Sequence, residues 1–302
     1  MNAPSINLYE VRERLGGQVY EGGLKWIGPG PNHSRQDRSL SVRLDGGRPL
    51  VHSFVGDRFA DCAKHLGLER GEVRQENALE AMQRRAAAAK AKALQVEADR
   101  AFCREVWKGT QPIEGTPAEA YLWSRGLILE TPDIRFHPAA PRHKPRETDI
   151  RAPLPAMVAK VRDATGKPKG LHVTYLTPDG RKALGDRSRL MFATIAQCSV
   201  QLAPMTADGV LAAAEGIETA GAFTVLHGLP CWATLSTSLM RTFALPPGVK
   251  RLVIAADRDD KTGAGIEAAQ ALAERARRLC DVEIHPAPEG KDWADVLKEK
   301  GQ

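Results

Sequence analysis

Three carboxylates that follow two apolar segments are the residues of this sequence best suited to chemistry. Glu215 follows the apolar run at 209–214, and Asp257 and Asp259 follow a second run at 251–256. Residues two apart in an extended chain point to the same side, so the two aspartates can face one ion together. Clustered carboxylates repel each other, and a divalent cation with a preference for oxygen ligands relieves that repulsion. The pattern therefore predicts a site for Mg²⁺ or Mn²⁺.

The segments around these carboxylates alternate between strand and helix patterns. Four apolar runs predict strands, at 209–214, 230–235, 251–256 and 281–287. Helical patterns follow each run, including an alanine-rich one at 265–280. Such alternation predicts a parallel sheet with helices on both faces, in which ligands bind beyond the carboxyl ends of the strands. Glu218, in the first turn of the helix after the first strand, is interpreted as a residue that favours the helix dipole.

Three sequence blocks in this region resemble the conserved blocks of the Toprim domain. They read AAAEGIETA at 212–220, IAADRDD at 254–260 and GKDWADVL at 290–297. Toprim domains are shared by bacterial primases, topoisomerases, some nucleases and recombination proteins. The variety most similar to these blocks is the primase-like Toprim domain of plasmids, phages and integrating elements.

The resemblance implies roles for individual acids. Glu215, Asp257 and Asp259 correspond to the catalytic, metal-binding carboxylates of the family. Asp292 corresponds to a further acid of the metal site, and Asp295 lies where the family has another acid nearby. Each of these residues alone is a common surface acid, so the hypothesis depends on the two strand ends occurring together.

The segment before these blocks is rich in lysine and arginine. It contains a helix pattern that begins at Thr116, with Glu119 completing a capping box, and strand patterns at 156–163 and 170–180. The segment is similar to the basic half of the primase core in the same mobile-element proteins. The similarity implies that its cations bind nucleotide phosphates and the template backbone. The candidates are Lys182, Arg187, Arg189, Arg142, Lys144 and Arg146.

The N-terminal segment resembles the zinc-binding module that precedes these primase cores. Strand patterns at 39–44 and 49–55 flank Asp-Gly-Gly and predict a hairpin, and 57–67 predicts a short helix. The similarity places the four zinc-ligand positions at residues of which only His33 is a good zinc ligand. They are Gly30, His33, Ser53 and Asp57. We therefore expect this module to fold without zinc.

Composition and patterning place the chain in the α/β class. Its 302 residues carry a net charge of +6, which is compatible with a polyanionic partner. Five scattered cysteines without a CxxC motif predict a reduced, cytoplasmic setting, and no apolar run is long enough to predict a membrane span. Changes in composition and patterning along the sequence predict four parts. They are a degenerate zinc-finger-like module at 1–70, a helical linker at 71–110 containing one long helix at 74–108, a basic α/β subdomain at 111–207 and a Toprim domain at 208–302.

The resemblance implies a DNA primase that makes short RNA primers on a single-stranded DNA template from nucleoside triphosphates. The sequence has no GxxxxGK[ST] motif, so a replicative helicase is predicted to be a separate protein. A Toprim phosphodiesterase or nuclease, with Glu215 as general acid and base, is one alternative. A non-catalytic protein that binds single-stranded nucleic acid is another. All four tyrosines lie outside the Toprim blocks, which disfavours a topoisomerase.

Overall fold

The structure is a computed structural model. It describes residues 6–45, 48–68, 74–75, 78–143, 150–185, 188–193, 195–258 and 262–300. The chain divides into two compact units, residues 1–92 and 93–302, and each is described by itself.

The N-terminal unit contains a five-stranded sheet with strand order β1-β2-β3-β4-β5. Its elements are α1 (Leu8–Leu15), β1 (Gln18–Tyr20), β2 (Lys25–Gly28), β3 (Leu40–Asp45), β4 (Arg48–Ser53), α2 (Phe59–Leu66) and β5 (Arg74–Gln75). β3 and β4 pair antiparallel, which confirms the predicted hairpin. α2 ends at Gly67, whose positive φ of 74° suits a residue without a side chain. Trp26, Leu40 and Val42 are fully buried between the sheet and the helices.

The long helix α3 (Ala78–Lys108) crosses the division between the units. Its predicted start at residue 74 is wrong, because Arg74 and Gln75 pair with β4 as a parallel strand instead. Residues 86–94 are exposed, whereas Cys103 and Val106 are buried in the core of the C-terminal unit. Among the helices in the described ranges, none is both long and apolar enough to cross a membrane.

The first half of the C-terminal unit is a four-stranded antiparallel sheet, with strand order β6-β7-β8-β9. Its elements are α4 (Pro117–Trp123), β6 (Ile134–Ala140), β7 (Leu154–Arg162), β8 (Pro168–Tyr175) and β9 (Arg189–Phe192). β7 and β8 confirm the two predicted strands. Thr116 caps α4 by accepting from the Ala118 N–H, while Glu119 accepts from Gly115 rather than from the cap residue itself. The predicted capping box is therefore present in a displaced form.

The second half is a five-stranded sheet with order β10-β12-β11-β13-β14. Its elements are β10 (Val200–Gln201), β11 (Val210–Ala214), α5 (Ile217–His227), β12 (Cys231–Ala233), α6 (Thr237–Thr242), β13 (Arg251–Ala256), α7 (Ala264–Ala276), β14 (Asp281–Pro286) and α8 (Trp293–Lys300). The four predicted strands are parallel, and the short β10 adds an antiparallel edge. α7 ends four residues before its predicted limit, because the chain turns after Ala276 to enter β14.

Alternate residues of the central strands pack on opposite faces of this sheet. Ala212 and Ala214 of β11 face α5, and Leu211 and Ala213 face the side covered by α6 and α7. The strands are apolar throughout because both faces are covered. This arrangement confirms the predicted α/β sheet and fixes where its strand ends lie.

Candidate active site

Glu215 and Asp257 follow the ends of two neighbouring parallel strands. β11 and β13 pair with Ala214 opposite Ala255, so both acids leave the sheet at the same edge. The Thr219 hydroxyl donates to the Asp257 carboxylate over 3.3 Å, which links the two strand ends through α5. The first turn of α7 passes so close that a Cβ on Gly265 would lie 2.7 Å from the Asp257 carbonyl oxygen. Only glycine fits there without displacing the loop.

Two further acids stand at the start of α8. The Asp295 N–H donates to the Asp292 side chain over 2.7 Å, and the Asp292 N–H donates to the Asp295 side chain over 3.4 Å. This reciprocal pair is a capping box, in which each carboxylate accepts an N–H left free at the helix start. Both acids therefore have a structural role in addition to any part they take in the site.

These acids line a cavity of about 370 Å³. The cations Arg125, Lys182 and Arg189 of the preceding segment line the same cavity. We call the acids at the strand ends and at the start of α8 the acidic wall, and these three cations the basic wall. Its charged lining consists of Glu215, Glu218, Asp257, Asp292 and Asp295 with Arg125, Lys182, Arg189 and Lys298. The strand ends of one sheet and the basic segment of the other therefore meet in a single charged cavity.

Glu218 joins the two walls. Its Oε1 atom accepts from the Tyr121 hydroxyl, lies 3.2 Å from Arg189 Nη2 and lies 3.3 Å from Lys182 Nζ. The residue is 8% exposed, and the Arg125 guanidinium lies over the Tyr121 ring at 3.9 Å. The interpretation of Glu218 as a residue that only favours the helix dipole is thus incomplete, because its side chain contacts three groups of the preceding segment.

The charge of Glu218 is maintained by these partners. Burial alone would raise the pKa of the carboxyl, but the charges of Arg189 and Lys182 and the hydrogen bond from Tyr121 outweigh it and hold the pKa at about 2. Glu218 is therefore an anion at any physiological pH. Burial also raises the pKa of the Tyr121 hydroxyl, and the neighbouring Glu218 charge raises it further.

The comparisons with known proteins match the two halves of the C-terminal unit separately. Residues 210–302 match the Toprim domain model. This segment is a Toprim domain. Residues 97–202 match DUF7146, a domain of unknown function. No curated protein matches the chain significantly.

Several solved bacterial primases resemble parts of the chain. The catalytic domain of the DnaG primase bound to single-stranded DNA is 15% identical, with a TM-score of 0.48 over 71% of this chain and 79% of that one. The Aquifex aeolicus primase with its zinc-binding and RNA polymerase domains is 15% identical, with a TM-score of 0.43 over 98% and 80%. A DNA primase domain from Pseudomonas aeruginosa is 16% identical, with a TM-score of 0.42 over 65% and 73%.

The structure brings most of the predicted site residues of the Toprim domain together with two predicted cations. Glu215, Asp257 and Asp292 share the cavity with Lys182 and Arg189. Arg142 lies elsewhere, on the chain before β7, and contacts the Ala152 carbonyl oxygen. The remaining predicted residues lie outside the described part of the chain. They are Asp259, Arg187, Lys144 and Arg146.

The donor set of the cavity suits a hard divalent cation. The acids at the strand ends offer carboxylate oxygens, which Mg²⁺ and Mn²⁺ prefer, and no thiolate or imidazole lines the cavity in the part described. Among the residues that the structure describes, no three histidine, cysteine, aspartate or glutamate side chains lie close enough together to form a metal site. The carboxylate oxygens of Glu215 and Asp257 fit a hard divalent cation. Asp259, the third acid of the sequence pattern, lies outside the described residues.

Sequence reasoning missed Arg125 and Lys298, which line this cavity, and Tyr121, which contacts the cavity residue Glu218. Tyr121 lies outside the Toprim blocks, yet its hydroxyl reaches Glu218 in the first turn of α5. Tyr121 is fully buried, and the raised pKa of its hydroxyl keeps it protonated. A buried, protonated phenol is poorly suited to act as the nucleophile of covalent strand cleavage.

The four positions that the zinc-module resemblance identifies lie together in the N-terminal unit. His33 Nε2 lies 3.4 Å from Asp57 Oδ1, and the Ser53 hydroxyl donates to Asp57 Oδ2 over 3.0 Å. A Cβ on Gly30 would lie 2.7 Å from Asp57 Oδ2. A cluster of polar contacts therefore occupies the place where the resemblance puts four zinc ligands.

Proposed function

We propose that the protein is a primase-type nucleotidyltransferase that joins nucleoside triphosphates on a single-stranded DNA template. The observation that carries this proposal is the cavity that the strand-end acids of the Toprim domain line together with Lys182 and Arg189. Phosphoryl transfer requires positioning and charge stabilisation more than covalent chemistry, and this cavity offers groups of both signs for that purpose.

The two walls of the cavity have separate roles in this proposal. Glu215, Asp257 and Asp259 would hold Mg²⁺ or Mn²⁺, and the bound ion would supply activation of the attacking hydroxyl and neutralisation of charge on the triphosphate. Lys182 and Arg189 contact the phosphate oxygens. Arg189 is 48% exposed at its side chain and Lys182 is 30% exposed, so both can reach a ligand in the cavity. The new bond joins the 3′-oxygen to the α-phosphorus, and pyrophosphate leaves.

The strongest test is template-dependent incorporation of labelled nucleoside triphosphates on single-stranded DNA, with Mg²⁺, with Mn²⁺ and with a chelator. We expect short RNA products in the presence of metal only. The substitution D257N removes one charge and one oxygen ligand from the site, and it should lower the rate by roughly a hundredfold or more. D281N, which makes the same change at the exposed start of β14, is the matched control and should leave the rate unchanged.

The same reactions distinguish the alternatives. Metal-dependent shortening of the DNA without incorporation would support a Toprim phosphodiesterase or nuclease instead. Binding of the DNA without either reaction would support a non-catalytic binding protein. Full incorporation by D257N would contradict the proposed use of the strand-end acids.

Four expectations from the sequence remain part of the proposal. They are a separate replicative helicase as partner, a cytoplasmic location, an origin in a plasmid, phage or integrating element, and an N-terminal module that needs no zinc. The proposed reaction itself needs only the template, nucleoside triphosphates and the divalent cation.

A further inference from the structure

Glu218 has a position and a set of contacts that the proposed reaction does not by itself require. It lies three residues after Glu215, but its carboxylate contacts Tyr121, Lys182 and Arg189 rather than the other acids. All three contacts use the same oxygen atom. The residue therefore connects the Toprim domain to the basic segment that precedes it.

A buried carboxylate with two cations is unfavourable unless each charge is compensated. Removing a carboxylate from water is unfavourable, and that cost is offset only by close cations and hydrogen-bond donors. Here the two cations and the phenol fill these roles, and Glu218 stays ionised. Two cations and one anion leave a local excess of one positive charge beside the acidic wall.

The contacts also restrict the two long side chains. A free lysine or arginine side chain has many rotamers, and their entropy is lost whenever the side chain is fixed in one place. Lys182 and Arg189 lose part of it in the free protein, because Glu218 holds their charged ends. A phosphate that arrives later then meets cations that are already in place, and binding costs less ordering.

We propose that Glu218 is a positioning residue, which holds Lys182 and Arg189 beside the strand-end acids so that both meet the phosphates of the substrate in one fixed arrangement. This inference rests on the proposed nucleotidyl transfer. In it Glu218 does not touch the substrate. It competes with phosphate for the two cations, so its carboxylate lowers their affinity for nucleic acid while it fixes their place.

The competition predicts effects of opposite sign on binding and on turnover. E218Q removes the charge but keeps an oxygen that can accept from Tyr121. It should release one cation for contact with a phosphate of the DNA. The slope of log K against log salt concentration for single-stranded DNA binding should therefore become steeper by about 0.7, the value for one phosphate contact on a single strand. The kcat should fall roughly ten- to a hundredfold, because the freed side chains no longer hold the reacting phosphate in place.

The control is E267Q, which makes the same charge change in α7, at an exposed glutamate that pairs with Arg241 outside the cavity. It should change neither the salt dependence nor kcat. Y121F keeps the Glu218 charge and removes one hydrogen bond, so it should lower kcat less than E218Q and leave the salt dependence unchanged. Thermal unfolding of each variant accompanies these measurements.

A purely structural role would give a different result. If Glu218 only joins the two segments, E218Q should weaken DNA binding and turnover together, in proportion to a lower unfolding temperature. That result overturns the proposal, as does an unchanged salt dependence or an unchanged kcat. If the wild type incorporates no nucleotide, the proposed function fails, and the salt dependence of DNA binding alone tests the role of Glu218. A steeper slope for E218Q than for the wild type then supports positioning, and an equal slope refutes it.

Discussion

His172 makes the stability of the C-terminal unit depend on pH in a way that can be calculated from its surroundings. It lies in β8 and is 6% exposed. Burial lowers the pKa of its imidazole from 6.5 to about 4, and the charges of Arg189 and Lys182 act in the same direction against that of Glu218. The ring is therefore neutral in the folded protein at neutral pH, whereas in the unfolded chain it takes up a proton below about pH 6.5.

The sign of the effect follows from this difference. Between pH 6.5 and about pH 4 the unfolded state binds more protons than the folded state at this residue, so the free energy of unfolding falls as the pH falls. Above pH 6.5 the buried neutral ring makes its full contribution to the free energy of unfolding. About 3 kcal/mol of that contribution is lost when the pH has fallen to about 4, where the ring of the folded protein takes up its proton.

Urea denaturation of the wild type and of H172L measures this loss. Leucine does not titrate, and in the described structure the His172 Nδ1 atom has no hydrogen-bond partner that the substitution would remove. The difference in unfolding free energy between the two proteins should shift by about 2.5 kcal/mol in favour of H172L between about pH 7.5 and about pH 4.5. Taking the difference cancels the titration of the other histidines. Two curves that stay parallel over this range would refute the buried, neutral assignment of His172.

Three further predictions concern other parts of the chain. Chelator treatment should leave the thermal unfolding of the N-terminal unit unchanged, because only His33 of the four expected positions is a good zinc ligand; one tightly held zinc per chain in elemental analysis would contradict this. Trypsin should cut first after Lys90 or Lys92, in the exposed stretch 86–94 of α3, and leave a folded fragment close to residues 93–302, since the helix is packed in the core beyond it; a first cut after Lys108 would show that this packing is wrong. G265A should lower the free energy of unfolding by about 1–3 kcal/mol, because its Cβ would lie 2.7 Å from the Asp257 carbonyl oxygen, and an unchanged urea midpoint would exclude that close approach.

The position of the acidic wall could be predicted from the sequence because it depends on local pattern and one general rule of sheets. Apolar runs of strand length separated by helices predict parallel strands, and parallel strands end at one edge. Glu215 and Asp257 follow such runs, and the structure places them on neighbouring strands. The family resemblance added roles to these residues, while their proximity followed from the pattern alone.

The basic wall depends on contacts that no local pattern contains. Tyr121 and Glu218 are separated by 97 positions and meet only because two sheets pack together in the same unit. The strand at Arg74 and Gln75 has two residues and no apolar alternation, and it forms only because β4 offers a free edge. Asp292 and Asp295, by contrast, carry a local signal for a capping box, an acid three residues before another at a helix start, and the structure shows the hydrogen bonds that this signal predicts.

The polar cluster of the N-terminal unit changes what kind of chemical stress this unit can withstand. Cysteine-ligated metal sites lose their metal when an oxidant attacks the thiolates. Here the corresponding positions are joined through His33, Ser53 and Asp57, none of which carries sulfur. The one cysteine of this unit, Cys62, is buried in α2, and burial raises the pKa of its thiol, so it reacts slowly. We therefore expect the N-terminal unit to keep its fold in peroxide and under metal starvation.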